Sequence, residues 1–146
     1  MEQTLQETSL QIVRNIGASV SDVYEAWADP AKMKQWMGPG DTQCENVDID
    51  LRIEGKYRIH MISSDCDNPI AVGEYREIVP EKKLVFTWSW EGSDMPETLV
   101  TLTLEPDGDQ TRLTLRHEGF LERAVTDNHQ EGWKGCLDGL VAFCQQ

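Results

Sequence analysis

The most informative segment of the chain is the C-terminal VTDNHQEGWKGCLDGLVAFC, residues 125–144. A step of about 100° per residue, as in an α-helix, collects its apolar side chains on one stripe and leaves Lys134 and Asp138 opposite. The stripe consists of Val125, His129, Trp133, Cys136, Leu137, Leu140, Phe143 and Cys144. The pattern predicts an amphipathic helix of about five turns, with Thr126 as its N-cap, that must cover a large apolar surface.

The segment between residues 43 and 119 supplies that surface, because its apolar residues alternate with polar ones. A period of two gives a strand one dry face and one wet face. Turn residues, among them a polar run at residues 63–68, separate the alternating stretches. The pattern predicts about six consecutive antiparallel strands, near residues 47–53, 57–61, 70–79, 84–90, 100–104 and 113–117.

The N-terminal part of the chain adds one strand and two short helices. Residues 8–16 alternate as a strand. A helix then follows a Ser19 or Ser21 cap and stops at Asp29, and Pro30 starts a second helix over residues 31–37. The element order β-α-α-β6-α predicts an α+β fold, with a curved antiparallel sheet wrapped around the long C-terminal helix. We expect residues 1–8 to be a flexible N-terminus and residues 9–146 to form a single domain.

Composition excludes several classes of protein. The 146 residues are 39% hydrophobic and include five Trp, which is unlike a disordered or fibrous chain. Thirteen Lys and Arg against 26 Asp and Glu give a net charge of −13, which repels phosphate backbones and anionic lipid. We therefore expect neither nucleic acid nor a membrane as a partner. The polar start and the short apolar runs predict no signal peptide and no membrane span, and hence a cytoplasmic protein.

The cysteines and histidines do not form a metal-binding pattern. No CxxC pair occurs, and no histidine lies at ligand spacing beside a cysteine. The residues concerned are Cys44, Cys66, Cys136, Cys144, His60, His117 and His129. We expect reduced thiols that pack in the core, no metal site and no cofactor.

Several short motifs follow one another in a recognisable order. They are VYEAWADP at 23–30 leading to WMGP at 36–39, DLR at 50–52 before GKYR at 55–58, GEYREIVP at 73–80 running into LVFTW at 84–88, and GW at 132–133. Together they resemble the activator of Hsp90 ATPase homologue 1-like family, within the START-like (SRPBCC) helix-grip superfamily. The resemblance implies a helix-grip fold for residues 9–146. Many relatives carry paired glycines where this chain has Glu54-Gly55.

A curved sheet gripping a helix tends to leave a pocket at its wider end, and small-molecule sites of this kind are mostly apolar with a few polar anchors. We predict that the helix covers the sheet without filling its groove. The candidate ligand-binding residues are those expected to face the groove: Tyr57, Ile59, Met61, Phe86, Trp88, Leu102, Leu115, His117, His129 and Trp133.

Each of these residues also has a simpler interpretation. His117 and His129 are either hydrogen-bonded core residues or polar anchors for a ligand, and as a pair they would suit acid–base chemistry. The aromatic side chains are either packed core or the walls around a flat apolar guest. Gly132, Gly135 and Gly139 lie beside the apolar stripe, where they either admit another backbone or leave free volume near Trp133.

Three functions are compatible with these patterns. The leading hypothesis is a small-molecule binding protein that holds a hydrophobic or amphipathic molecule between the sheet and the C-terminal helix. The resemblance also implies an enzyme of the polyketide cyclase or dehydratase kind, using His117 and His129, although no catalytic residue is assigned. The third hypothesis is a protein-interaction module. Hsp90 itself is not an expected partner, because the co-chaperone uses a further domain and linker to grip it, and a homodimer is left open.

Overall fold

The computed structural model describes residues 9–38, 43–62 and 69–145. Its elements follow the predicted order: β1 (Ser9–Ile16), α1 (Val20–Ala28), α2 (Pro30–Trp36), β2 (Gln43–Ile49), β3 (Lys56–Ile62), β4 (Ile70–Val79), β5 (Lys83–Trp90), β6 (Thr98–Asp107), β7 (Gln110–Glu118) and α3 (Arg123–Cys144). The predicted α+β order β-α-α-β6-α is therefore confirmed. The proposed flexible residues 1–8, the polar turn at 63–68 and Cys66 lie outside the described residues.

The seven strands form one antiparallel sheet in the order β1-β7-β6-β5-β4-β3-β2. The sheet is a curled half-barrel, and the inward side chains of its strands are buried, as the period of two predicts. Leu102, Leu113 and Leu115 at its centre are fully buried. The helix α3 packs against β1 and against both short helices. The core thus lies between the hollow of the sheet and α3.

The two short helices form a corner held by their caps and by two tryptophans. The Ser19 hydroxyl accepts from the backbone N–H of Asp22 at 3.2 Å, which confirms Ser19 as the first cap. Pro30 occupies the start of α2. The Trp36 indole N–H donates to the carbonyl of Ala26 at 2.9 Å. This corner closes one end of the core.

The helix α3 begins earlier than the sequence pattern predicts. Its N-cap is Glu122, whose side chain makes no capping bond. Thr126 is not the cap: it is buried in the first turn, and its hydroxyl donates to the carbonyl of Glu122 at 2.9 Å. The prediction was wrong because it placed the start of the helix near Val125, the first apolar residue. The Thr126 hydroxyl instead donates to a carbonyl one turn earlier, as hydroxyls inside a helix often do.

Gly139 and Gly132 of α3 lie in different surroundings. A Cβ on Gly139 would lie 3.0 Å from the carbonyl oxygen of Trp36, so here another backbone does approach closely. A Cβ on Gly132 would have nothing within 4 Å. Close packing therefore explains Gly139, whereas Gly132 faces open space.

The strand β2 is shorter than the alternation predicts. It ends at Ile49, and Leu51 and Ile53 lie in the following turn with 36% and 51% of their surface exposed. A Cβ on Gly55 would lie 2.1 Å from the carbonyl oxygen of Asp50, so the turn requires glycine there. Glu54 has φ 68°, the left-handed conformation that glycine adopts most easily.

Candidate functional site

A small cavity lies where the α1–α2 corner, strands β2 to β5 and α3 meet. Its volume is about 10 Å³, close to the space that one water molecule needs. Its lining consists of Trp27, Met33, Met37, Ile49, Tyr57, Tyr75, Leu84, Phe86, Trp88 and Trp133. Inward aromatic side chains therefore occupy most of the groove that α3 covers, and only this small space remains.

Four of the ten predicted site residues line this cavity: Tyr57, Phe86, Trp88 and Trp133. The other six, Ile59, Met61, Leu102, Leu115, His117 and His129, are not part of its lining; all are buried in the core except His129, which is half-buried. The sequence reasoning missed Trp27, Met33, Met37, Ile49, Tyr75 and Leu84. A signal existed for Leu84, which shares its strand face with Phe86, and for Met33 and Met37, which are four residues apart on one helix face.

Aromatic rings form most of the cavity wall. The ring of Trp133 on α3 packs against two other indoles, with centroids 5.0 Å from Trp88 and 6.1 Å from Trp27. Tyr57 packs edge-on against Phe86 at 5.5 Å. No charged side chain of the described residues contributes to the lining. The cavity therefore suits an uncharged apolar group.

Two of these indoles have an unusual feature. The indole N–H groups of Trp27 and Trp88 are buried, and neither has a hydrogen-bond partner among the described residues. A buried donor without a partner costs about 1–3 kcal/mol. Both residues line the cavity. Two of the residues that line the cavity thus have unpaired donors.

His117 lies in a continuous chain of hydrogen bonds beside the cavity. Its Nδ1 accepts from the indole N–H of Trp133 at 3.0 Å, and its Nε2 lies 2.6 Å from the hydroxyl of Thr98. That hydroxyl donates to the carbonyl of Trp88 at 2.9 Å. Because an indole only donates, the network assigns the proton of the neutral ring to Nε2. Burial, together with the nearby His129, lowers the pKa of His117 to about 2.

His129 is bonded in a similar way. Its Nε2 accepts from the indole N–H of Trp90 at 3.0 Å, and its Nδ1 donates to the carbonyl of Val125 at 3.0 Å. Burial lowers the pKa of His129, partly offset by the bond to Val125. The rings of His129 and His117 are 5.4 Å apart. All four ring nitrogens are already bonded, so the predicted acid–base pair has no nitrogen to offer a substrate.

Other reactive groups are also poorly suited to chemistry. The described cysteines Cys44, Cys136 and Cys144 are free. Burial raises the pKa of Cys136 to about 12 and that of Cys144 to about 11, which keeps both as neutral thiols. Within residues 9–38, 43–62 and 69–145, no three His, Cys, Asp or Glu side chains cluster as metal ligands. No helix in these ranges is long and apolar enough to cross a membrane.

Comparison with known proteins identifies similar chains. A family model described as activator of Hsp90 ATPase homolog 1-like protein matches residues 17–145. A solved structure from Chromobacterium violaceum superposes with a TM-score of 0.87 at 24% identity, covering 95% of this chain and 98% of that one. At that identity the likeness shows the fold alone.

Two further solved structures are similar. A protein from Silicibacter pomeroyi, described by the same family, has a TM-score of 0.80 at 26% identity, over 92% of this chain and 95% of that one. CalU16 from Micromonospora echinospora has a TM-score of 0.69 at 27% identity, over 93% of this chain and 75% of that one. No curated protein matches the sequence.

Proposed function

The chain belongs to the activator of Hsp90 ATPase homolog 1-like protein family, and on this fold we propose that it binds a small apolar molecule in the cavity between the α1–α2 corner, the sheet and α3. The observation that carries the proposal is the lining: six aromatic side chains, two methionines, one isoleucine and one leucine surround the space. Small-molecule sites in proteins are mostly apolar and aromatic in this way.

A ligand needs more room than the cavity of about 10 Å³ offers. Met33 in the seven-residue helix α2 and Met37 at its C-cap supply one wall. Methionine side chains are unbranched and have three rotatable bonds, so they repack more easily than the aromatic rings opposite. We infer that the ligand takes its space by displacing these two side chains.

Binding is a better hypothesis than catalysis for this site. The ring nitrogens of His117 and His129 are all engaged within the protein. The pKa of His117 is about 2, so its ring does not take up a proton near neutral pH. These contacts argue against a polyketide cyclase-like reaction that uses the two histidines.

The proposal does not include Hsp90 as a partner. The large apolar side chains exposed among the described residues are separated along β1, the β2–β3 segment and the chain before α3, and scattered residues of this kind are normal on protein surfaces. They are Val13, Leu51, Ile53, Ile62 and Leu121. We also propose a cytoplasmic location, since the described cysteines are unpaired.

The test is a thermal-shift and tryptophan-fluorescence titration with naphthalene. We expect naphthalene to raise the unfolding temperature and to bind Met33→Ala and Met37→Ala more tightly than the natural chain, because both substitutions enlarge the cavity. Met61→Ala is the matched control: Met61 is equally buried but does not line the cavity, so its loss must not improve binding. If naphthalene stabilises neither the natural chain nor the two enlarged variants, the proposed function is wrong.

A further inference from the structure

Trp27 and Trp88 both line the apolar cavity, and the indole N–H of each is buried without a partner among the described residues. We propose that these donors bind a hydrogen-bond acceptor of the ligand, and that the ligand is an uncharged flat molecule carrying a carbonyl oxygen. This inference rests on the proposed function, because it concerns the occupant of the same cavity.

The pairing of the other indoles supports a role for these two. Trp36 donates to the carbonyl of Ala26, Trp90 donates to His129, and Trp133 donates to His117. The fold thus gives three of its five indoles a protein acceptor, as is usual for buried donors. The two exceptions both line the cavity. An acceptor brought by a ligand would pair them.

The charge of the lining selects among possible acceptors. An indole N–H only donates, so a ligand whose polar groups are all donors would leave both unpaired. A carboxylate or phosphate would accept, but the described part of the lining contains no cation to balance its charge, and burying an unbalanced charge is very costly. A neutral carbonyl oxygen accepts a hydrogen bond and carries no net charge. It therefore fits the donors and the apolar wall together.

The arrangement of the rings favours a planar ligand. The ring of Trp133 contacts both donor residues, with its centroid 5.0 Å from that of Trp88 and 6.1 Å from that of Trp27. A flat ring system stacks on, or meets edge-on, aromatic side chains at such spacings. The carbonyl would supply orientation, and the rings would supply most of the buried area.

The test compares two probes, 1-indanone and indane, which differ in one carbonyl group. Both are titrated by calorimetry into the natural chain and into Met37→Ala, which offers more room. We expect 1-indanone to bind about fivefold to a hundredfold more tightly than indane. We expect the double variant Trp27→Phe/Trp88→Phe to bring that ratio to about one, because both donors are removed. Phe86→Leu is the control, since it trims the same wall without removing a donor and must preserve the ratio.

The outcomes separate this inference from the proposed function. Equal affinities for the two probes would overturn the role of the indole donors and leave apolar binding standing. If neither probe binds to the natural chain or to Met37→Ala, both the proposed function and this inference are wrong. If the double variant does not fold, the infrared carbonyl band of 1-indanone bound to the natural chain decides. A shift below its frequency in a hydrocarbon solvent supports the hydrogen bond, and an unshifted band refutes it.

Discussion

The indole nitrogen of Trp133 donates a 3.0 Å hydrogen bond to Nδ1 of His117, at the centre of the core. The chain continues from His117 through the hydroxyl of Thr98 to the carbonyl of Trp88. These four residues belong to α3, β7, β6 and β5. This chain of hydrogen bonds therefore holds α3 in position against three adjacent strands.

Replacing His117 by leucine should destabilise the protein by about 2–4 kcal/mol, because the N–H of Trp133 then loses its acceptor inside the core. Urea unfolding followed by circular dichroism measures the loss. His60→Leu on β3 is the control; His60 is only partly buried and should change stability by about 0.5 kcal/mol or less. Equal losses for the two variants would contradict the role of the hydrogen-bond chain.

Stability should fall in mild acid because of His117. In the unfolded chain this residue takes up a proton below about pH 6.5, whereas in the folded protein its pKa is about 2. Its contribution is therefore complete above about pH 6.5 and is lost as the pH falls towards 2. Between about pH 7.5 and about pH 5, we expect the natural chain to lose about 2 kcal/mol more than His117→Gln.

Urea unfolding at the two pH values checks this difference. The glutamine variant keeps one donor and one acceptor but does not titrate, and the carboxylates that protonate in acid are the same in both proteins. Parallel pH curves for the two proteins would show that His117 is not held neutral by the fold.

Gly73→Ala should be strongly destabilising, by about 3 kcal/mol or more. The added Cβ would lie 1.9 Å from the carbonyl oxygen of Thr87 and 2.6 Å from the hydroxyl of Tyr57. That hydroxyl donates to the same carbonyl at 2.5 Å, so the substitution also disturbs a wall of the cavity. Thermal unfolding measures the effect, and a change of less than about 1 kcal/mol would contradict it.

Two glycines of α3 should respond in opposite directions to alanine. Gly132→Ala should stabilise the protein by about 0.5–1 kcal/mol, because the position is helical and nothing lies within 4 Å of the new Cβ. Gly139→Ala gains the same helix propensity but places its Cβ 3.0 Å from the carbonyl oxygen of Trp36, so we expect no gain or a net loss. Chemical denaturation of both variants tests the difference, and an equal gain in both would refute close packing at Gly139.

Much of the topology could be predicted because the spacing of apolar residues changes where the structure changes between strand and helix. The strand around Ile70 to Val79 was predicted with its observed bounds, and the β5, β6 and β7 patterns lie inside the observed strands. The alternation of apolar residues predicts that β2 continues through Leu51 and Ile53, but these two residues lie in a turn that requires glycine at position 55. A period shows which way side chains face, but it does not show where hydrogen-bonded pairing stops.

The site was less predictable. The inward direction of His117 and Trp133 followed from their patterns, but their mutual bond joins residues on two elements whose relative placement the sequence does not give. Whether inward rings meet or leave a space depends on the curvature of the sheet. The register shift between Tyr75 and Glu77, which contributes to that curvature, has no signal in the alternation. Whether the groove is filled or open therefore could not be predicted from the sequence.

The pairing of β1 with β7 has a consequence for biosynthesis. Ser9 lies opposite Glu118 and Ile16 opposite Thr111, and among the described strands β7 alone lies beside β1. A nascent chain on the ribosome therefore keeps its first strand, with apolar Leu10 and Ile12, unpaired until β7 has emerged. Closing so long a loop is slow, and an exposed apolar strand is prone to pair with other chains meanwhile. The interval between translation of the two strands is thus the period in which this protein is most open to aggregation.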